Sequence, residues 1–385
     1  MLTTYSDIVL HLQSYLGDRN AALSKSYCKR AAADALREIA NIHSWTYYRQ
    51  LGRFTTSASY STGTVAYDHT GGTYERQLTL SDGTWPEWIQ YGVVKIADIP
   101  YDVDERKSDT VVTLTRMTNP GADVASTAYS CYRDTYPAPV DFQSIERAVV
   151  LDRDVCLKYI TPQEWVSGQR QFDLSGNVWY FTIMGDPNYQ GAMSFRLCGA
   201  PDTAETIDFL YRRRPRTLRF HEVNTGTVTY SLPANVDIAG TGTNFNEFMV
   251  GSVIRLYDST NSPTNEEGDY PAYIERTITE VVSTVHLRVD ATIPGEYSGV
   301  KYMISDPIDI DKQTMLGAYK RTCEKLIENQ RQGKNLASVQ AGWLTEVQMA
   351  IAADKRYAGG GVAVGGSTGL ESGLSLGDIG TVVFN

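Results

Sequence analysis

The chain has no apolar run approaching the ~18 residues a helix needs to cross a bilayer, which excludes a transmembrane helix. It has no Cys-x-x-Cys, and its five cysteines (Cys28, Cys131, Cys156, Cys198 and Cys323) are odd in number and scattered. That pattern argues against a disulfide framework and predicts reduced, mostly buried thiols in a protein assembled in a cytoplasm. The five histidines (His11, His43, His69, His221 and His286) never fall in His-x-x-x-His or His-Glu-x-x-His, the spacing that puts two imidazoles on one helix face around zinc. Gly-x-Ser-x-Gly is missing too, which removes the nucleophile elbow. Positive charge is short: 35 Lys and Arg against 45 Asp and Glu leave a net −10, which excludes nonspecific attraction of the whole surface to nucleic acid. The opening Met1-Leu2-Thr3-Thr4-Tyr5-Ser6-Asp7 lacks the basic stretch of a secretory signal.

What is present is a repeat. Gly63-Thr64-Val65-Ala66-Tyr67 returns as Gly226-Thr227-Val228-Thr229-Tyr230. Gly83-Thr84 and Gly92 match Gly242-Thr243 and Gly251, and Thr110-Val111 with Pro120-Gly121 matches Thr284-Val285 with Pro294-Gly295. The copies close on Tyr132-Arg133-Asp134 and Ile304-Ser305-Asp306, and copy two carries a polar insert between Leu256 and Tyr273. Glycines and Pro-Gly pairs fix where strands end and reverse, so two small antiparallel β barrels or sandwiches are expected. Neither copy repeats a catalytic residue set, which suggests a building part.

The periodicity elsewhere completes an α+β layout. Tyr5, Ile8, Leu12 and Leu16 recur at helical spacing over 4–16, with Gly17 able to close the helix. Over 21–44, Cys28, Ala31, Ala32, Ala35, Ile39 and Ile42 line one face. A helix over 310–356 carries Leu316, Tyr319, Cys323, Leu326 and Ile327, then Leu336 to Ile351 beyond a break at Gly333. The predicted division is a helical bundle from 1–48 and 307–356, a first β module over 49–134, an intervening β segment over 135–222, a second module over 223–306, and an extended Gly-rich arm over 357–385. In the bundle Ala31, Ala35 and Ile39 are expected to meet Leu316, Cys323, Leu326 and Ile327. The arm's spaced apolar residues, Leu370, Leu374, Leu376, Ile379, Val383 and Phe384, suit a segment that orders against a partner.

Candidates for chemistry are few. Gly240-Thr241-Gly242 reads as a turn, since no glycine-opened helix follows. Asp102 with Asp104, and Asp152 with Asp154, would share a face if they lie on strands, and solvated faces are the expected role. The one basic cluster is Arg212, Arg213, Arg214, Arg216 and Arg219, with Tyr211 and Phe220 beside it. It suits either nucleic acid or the acidic groups of a neighbouring subunit. No metal, cofactor or catalytic set is expected.

Four runs bear a resemblance when taken together. They are Ala31-Ala32-Ala33-Asp34-Ala35-Leu36-Arg37-Glu38, Tyr67-Asp68-His69-Thr70-Gly71-Gly72-Thr73-Tyr74-Glu75-Arg76, Tyr136-Pro137-Ala138-Pro139-Val140-Asp141-Phe142 and Tyr211-Arg212-Arg213-Arg214-Pro215. They resemble virion structural proteins of tailed bacteriophages, and the layout resembles the head-to-tail adaptor (connector) proteins. The resemblance implies a ring, twelve-fold in that family, with the bundle under the portal ring and β modules directed outward or toward the tail. It also implies a C-terminal segment docked on the portal, a tail tube, nozzle or stopper protein below, and genomic DNA passing through the lumen without specific binding during ejection. The doubled β module is larger than the mainly helical minimal adaptor. A different class remains open: a tail-associated carbohydrate-binding or depolymerase protein, with Trp85, Trp88, Trp179 and Tyr180 as stacking platforms. A capsid-decoration protein is a third possibility.

Overall fold

The computed structural model describes residues 3–17, 22–168, 175–186, 189–231, 236–257, 274–331 and 336–358. The fold is mixed α+β, with antiparallel sheets predominating and five helices among the described residues. Helix α1 spans Tyr5–Leu16. The Thr4 side chain accepts from the Asp7 N–H while the Asp7 carboxylate accepts from the Thr4 N–H, a reciprocal cap that satisfies two orphan donors. Gly17 closes the helix at φ 68°, in the left-handed region that favours glycine. Helices α2 (Ala22–Ile42), α3 (Pro162–Gly168), α4 (Leu316–Arg331) and α5 (Leu336–Ala358) follow.

One apolar cluster draws on α1, α2, α4 and α5. Ala31, Ala35, Ile39, Cys323 and Ile327 are buried in it, and Leu316 and Leu326 lie at its rim, partly exposed. Alanines let α2 approach closely enough for the Tyr319 hydroxyl to donate to the Ala32 carbonyl at 2.9 Å. The helix expected from residue 310 starts only at Leu316. Ile308, Ile310 and Met315 enter the core from non-helical backbone, where the Asp311 carboxylate accepts from the Gln313 N–H and the Thr314 hydroxyl.

Two four-stranded sheets share a core in the middle of the chain. The first has the order Arg49–Thr55, Thr206–Arg213, Phe142–Val150, Val155–Cys156. The second has the order Lys158–Tyr159, Tyr180–Gly185, Met193–Cys198, Thr135–Pro137. Phe54, Phe142, Phe181, Phe195, Phe209, Tyr136 and Tyr211 fill the space between, with Phe54 stacked on Tyr136 at 4.8 Å and on Phe195 at 5.7 Å. This corrects the boundary expected at residue 49. Arg49–Thr55 pairs along its whole length with Thr206–Arg213, not with the segment that follows it, because Phe54 is needed in this aromatic core and Gly52 leaves room for the Phe209 ring.

Between Thr55 and Thr135 the chain builds a seven-stranded sheet. Its order is Val124–Thr127, Val65–Asp68, Gln77–Leu80, Val111–Leu114, Ile99–Arg106, Gly92–Ile96, Tyr129–Arg133. After Arg213 it builds another, ordered Tyr297–Val300, Thr227–Tyr230, Asp237–Thr241, His286–Val289, Ile274–Ser283, Val253–Leu256, Tyr302–Ser305. Counted along each segment, the two orders are the same. Tyr60 bridges Cys131 in one and Val223 bridges Ile304 in the other. The Tyr129 hydroxyl donates to the Thr62 carbonyl, and the Tyr302 hydroxyl to the Thr225 carbonyl. Gly63 and Gly226 both have positive φ, 82° and 88°, and an added Cβ would lie 2.4 Å from the carbonyl oxygen of Asp82 or Thr241. Gly92 and Gly251, matched in sequence, differ in conformation: φ is −119° at Gly92 and +79° at Gly251.

The steric contact at the first turn sets a test. Gly63→Ala and Gly226→Ala should each cost more than ~1 kcal/mol, since an L side chain meets both a forbidden dihedral and a carbonyl oxygen. Gly121→Ala, which meets nothing within 4 Å, should cost less. Urea unfolding of the three variants checks the order.

Candidate functional site

The residues richest in polar contacts lie where the helices, the central sandwich and the second seven-stranded sheet converge. The strand Thr206–Arg213 delivers Arg212 and Arg213 to this point, and the irregular stretch 214–220 that follows carries Arg216 and Arg219. Arg213 grips Asp309 through two bonds, at 2.5 and 2.9 Å. Its guanidinium lies 5.2 and 5.4 Å from the ring centres of Tyr47 and Tyr48. The Tyr47 hydroxyl also donates to Asp309 at 2.9 Å, the Arg216 N–H donates at 2.8 Å, and the Tyr48 hydroxyl reaches the Asp309 carbonyl at 2.7 Å. Burial alone would raise the Asp309 carboxyl, but Arg213 and these donors prevail and hold it below the usual carboxylate range.

Arg212 donates to the carbonyls of Ala40 and His43, at 3.0 and 2.9 Å, at the carbonyl-rich end of α2 where a cation is favoured. Arg216 donates to Asp306 at 3.2 Å and to the Ser252 hydroxyl at 3.1 Å. Asp306 is fully buried and also accepts from Ser252 Oγ and the N–H groups of Arg219 and Phe220. Close by, the buried Arg255 joins the second sheet to α1 through Asp7 at 2.7 Å and contacts Glu275 at 3.3 Å.

Three members of the basic run, Arg212, Arg213 and Arg216, thus have partners within the same chain. Arg214 is exposed, and Arg219 is exposed with its guanidinium 4.8 Å from the Phe248 ring centre. Sequence reasoning missed the acidic half of the network. Asp309 lies in an unremarked polar stretch, and Arg255 shows only as a charge inside the apolar run Ser252–Tyr257.

Other candidates are dispersed. His11 meets Glu324 at 3.2 Å and His43 meets Asp354 at 3.1 Å. His221 is buried against Tyr5, and burial pushes its pKa down to about 3, so it stays neutral. Asp102 accepts from the Thr118 hydroxyl, and Asp104 is exposed. Asp152 and Asp154 lie in and after a 3-10 turn, not on a strand, with Asp154 at φ 50°, so they do not form a strand-face pair. No group of three or more His, Cys, Asp or Glu is placed to hold a metal ion among the described residues. Trp85 cannot serve as a stacking platform: it is 1% exposed and packs edge-on against Tyr129. Trp88 is half-buried on the same core, while Trp179 is exposed with Arg153 over its ring at 5.0 Å. The arm residues Leu370, Leu374, Leu376, Ile379, Val383 and Phe384 lie outside the described residues. No protein-family model matches the chain, and no curated protein matches it.

The arrangement has no nucleophile paired with a base; what it does is fasten three substructures together. Arg213→Met should leave Asp309 buried without its partner and cost about 3–5 kcal/mol. Equilibrium unfolding at neutral pH measures this. Because the Asp309 pKa is depressed, its stabilisation is present above the ordinary carboxylate pKa of ~3.9 and is lost as pH falls through the lower folded-state value. The penalty of the variant should therefore shrink in strong acid.

Proposed function

We propose that this chain is a structural virion protein, a head-to-tail adaptor whose oligomeric ring joins the portal to the tail and lets DNA pass. We infer further that the two seven-stranded sheets are copies of one β module, and that α1, α2, α4 and α5 form a single bundle on which the modules are mounted. The observation that carries the reading is the strand order shared by two sheets, each of which leaves its last strand through a buried aspartate, Asp134 or Asp306. Such a chain is built to hold large surfaces at a set spacing. Its strongest chemistry is spent on internal fastening.

A ring of identical subunits needs contacts between unlike faces that close by rotation. The α5 sequence from Leu336 to Ala353 carries one charged residue, Glu346, and its exposed positions include Ala341, Thr345, Gln348, Met349 and Ala352. Low charge on an exposed helix face suits a neighbour better than water. With Arg212, Arg213 and Arg216 consumed internally, and the chain at −10 overall, a lumen of such subunits would offer phosphate few fixed cations. In this reading the portal ring receives Leu370, Leu374, Leu376, Ile379, Val383 and Phe384, and a tail tube, nozzle or stopper protein sits on the far side. The carbohydrate-binding alternative loses Trp85, its first platform, to the core of the first sheet.

Electron microscopy of the purified protein with portal rings should show a coaxial ring on the portal. Fibres or spikes at the particle periphery, or a monomer that ignores portal, would overturn the assignment. Removing residues 357–385 should leave the melting temperature nearly unchanged and abolish portal attachment; a truncated protein that still builds infectious particles would show that the arm is a passive linker.

A further inference from the structure

The two seven-stranded sheets rejoin the rest of the molecule through aspartates at matching positions, Asp134 and Asp306, and the two carboxylates are treated differently. The oxygens of Asp306 receive four donors: Arg216, Ser252 Oγ and the N–H groups of Arg219 and Phe220. Asp134 is 3% exposed, yet only Oδ1 is hydrogen-bonded, by the Thr135 hydroxyl at 2.8 Å. Its Oδ2 has no hydrogen-bond partner, and the nearest cation, Arg196, stands 3.8 Å away. Arg196 comes from Met193–Cys198 of the central sandwich and leaves its own Nε unpartnered. Thr182 Oγ1, on the residue paired with Arg196, is also buried without a partner.

The other ionisable groups around Asp134 do not make up the deficit. Asp102, from Ile99–Arg106, repels it. Tyr132, Tyr136 and Cys198 are pushed upward by burial and remain neutral near pH 7. Arg133 points elsewhere, donating to the Thr135 carbonyl at 3.0 Å with its guanidinium over the rings of Tyr91 and Tyr136.

We propose that Asp134 is a proton-controlled joint: with its carboxyl neutral the first seven-stranded sheet is held firmly on the sandwich, and on ionising it loosens that attachment. The Asp306 joint, whose carboxylate is fully provided with donors, is the fixed counterpart. Burial pushes the Asp134 carboxyl from 3.8 up to about 6, so the folded protein binds this proton more tightly than the unfolded chain. The sign follows: this group's contribution to stability falls as pH rises from the ordinary value through about 6, and the joint is at its weakest in neutral solution. The inference stands independently of the ring assignment.

The test compares the full-length protein with Asp134→Asn. At about pH 7.5 the variant should melt higher than the wild type, and the difference should be roughly halved at about pH 5. Hydrogen exchange in Tyr129–Arg133 and Met193–Cys198, corrected for intrinsic rates, should show the wild-type joint opening more readily as pH rises, by up to about tenfold per pH unit across the window. In the variant it should be flat. A variant that melts lower than wild type at about pH 7.5, or by the same margin at both pH values, would overturn the proposal. If the variant does not fold, carbonyl-region carbon NMR of the wild type decides. An aspartate titrating near 6 supports the joint, and aspartates that all titrate below about 5 refute it.

Discussion

The fold depends on the pairing of Arg213 with Asp309. Arg213 ends the strand that runs through the middle of the central sandwich, and Asp309 lies on the only described stretch leading from the second sheet to α4. Tyr47 and Tyr48, directly after α2, close over the pair. One guanidinium therefore fixes a strand, a linker and the end of a helix relative to each other. A guanidinium suits this duty because its planar fork engages both carboxylate oxygens while its faces lie against aromatic rings. A lysine could satisfy the charge but not the geometry.

Around that point two sheets of corresponding strand order are attached in different ways. Both seven-stranded sheets use a tyrosine hydroxyl to tie the last strand to the chain just before the first turn, and an aromatic edge contact to pack that tyrosine: Trp85 on Tyr129, Phe245 on Tyr302. The internal packing of each sheet is thus similar. Their anchorage differs, with the second sheet bound to helices and linker by Arg216, Arg255 and Asp306, and the first by the Arg133 aromatic stack and an incompletely matched Asp134. Similar units with unequal attachments respond differently to one change in the medium.

How much could be read from the sequence depended on whether the cause was local. The α+β class was legible, because helical spacing of Ala31, Ala35 and Ile39 and strand runs such as Thr206–Tyr211 are short-range patterns. The cap at Gly17 and the glycines at 63 and 226 were legible because a left-handed turn demands the residue wherever it occurs. Long-range pairing left no such mark. Arg53 meets Asp208 across 155 residues and Arg213 meets Asp309 across 96, and an ion pair imposes no periodicity on either end. The arginine run was therefore visible while its partners were not. Trp85 misled for a related reason: a tryptophan in a glycine-rich segment reads equally as a platform or as core, and only the sheet that folds over it decides.

The shared cluster of α1, α2, α4 and α5 has a kinetic consequence. The hydroxyl of Tyr319 bonds a carbonyl 287 residues earlier, so the helical core cannot close until almost all of the described chain has been synthesised. The intervening sheets are assembled mainly from strands near one another in sequence and can form while the chain is still emerging. Until α4 arrives, the part of the α2 apolar face that α1 does not cover remains open. This is the interval in which a nascent chain is most exposed to aggregation or to wrong pairing with another copy. Alanine-rich faces limit that exposure, because small side chains present little apolar surface before their partner helix docks.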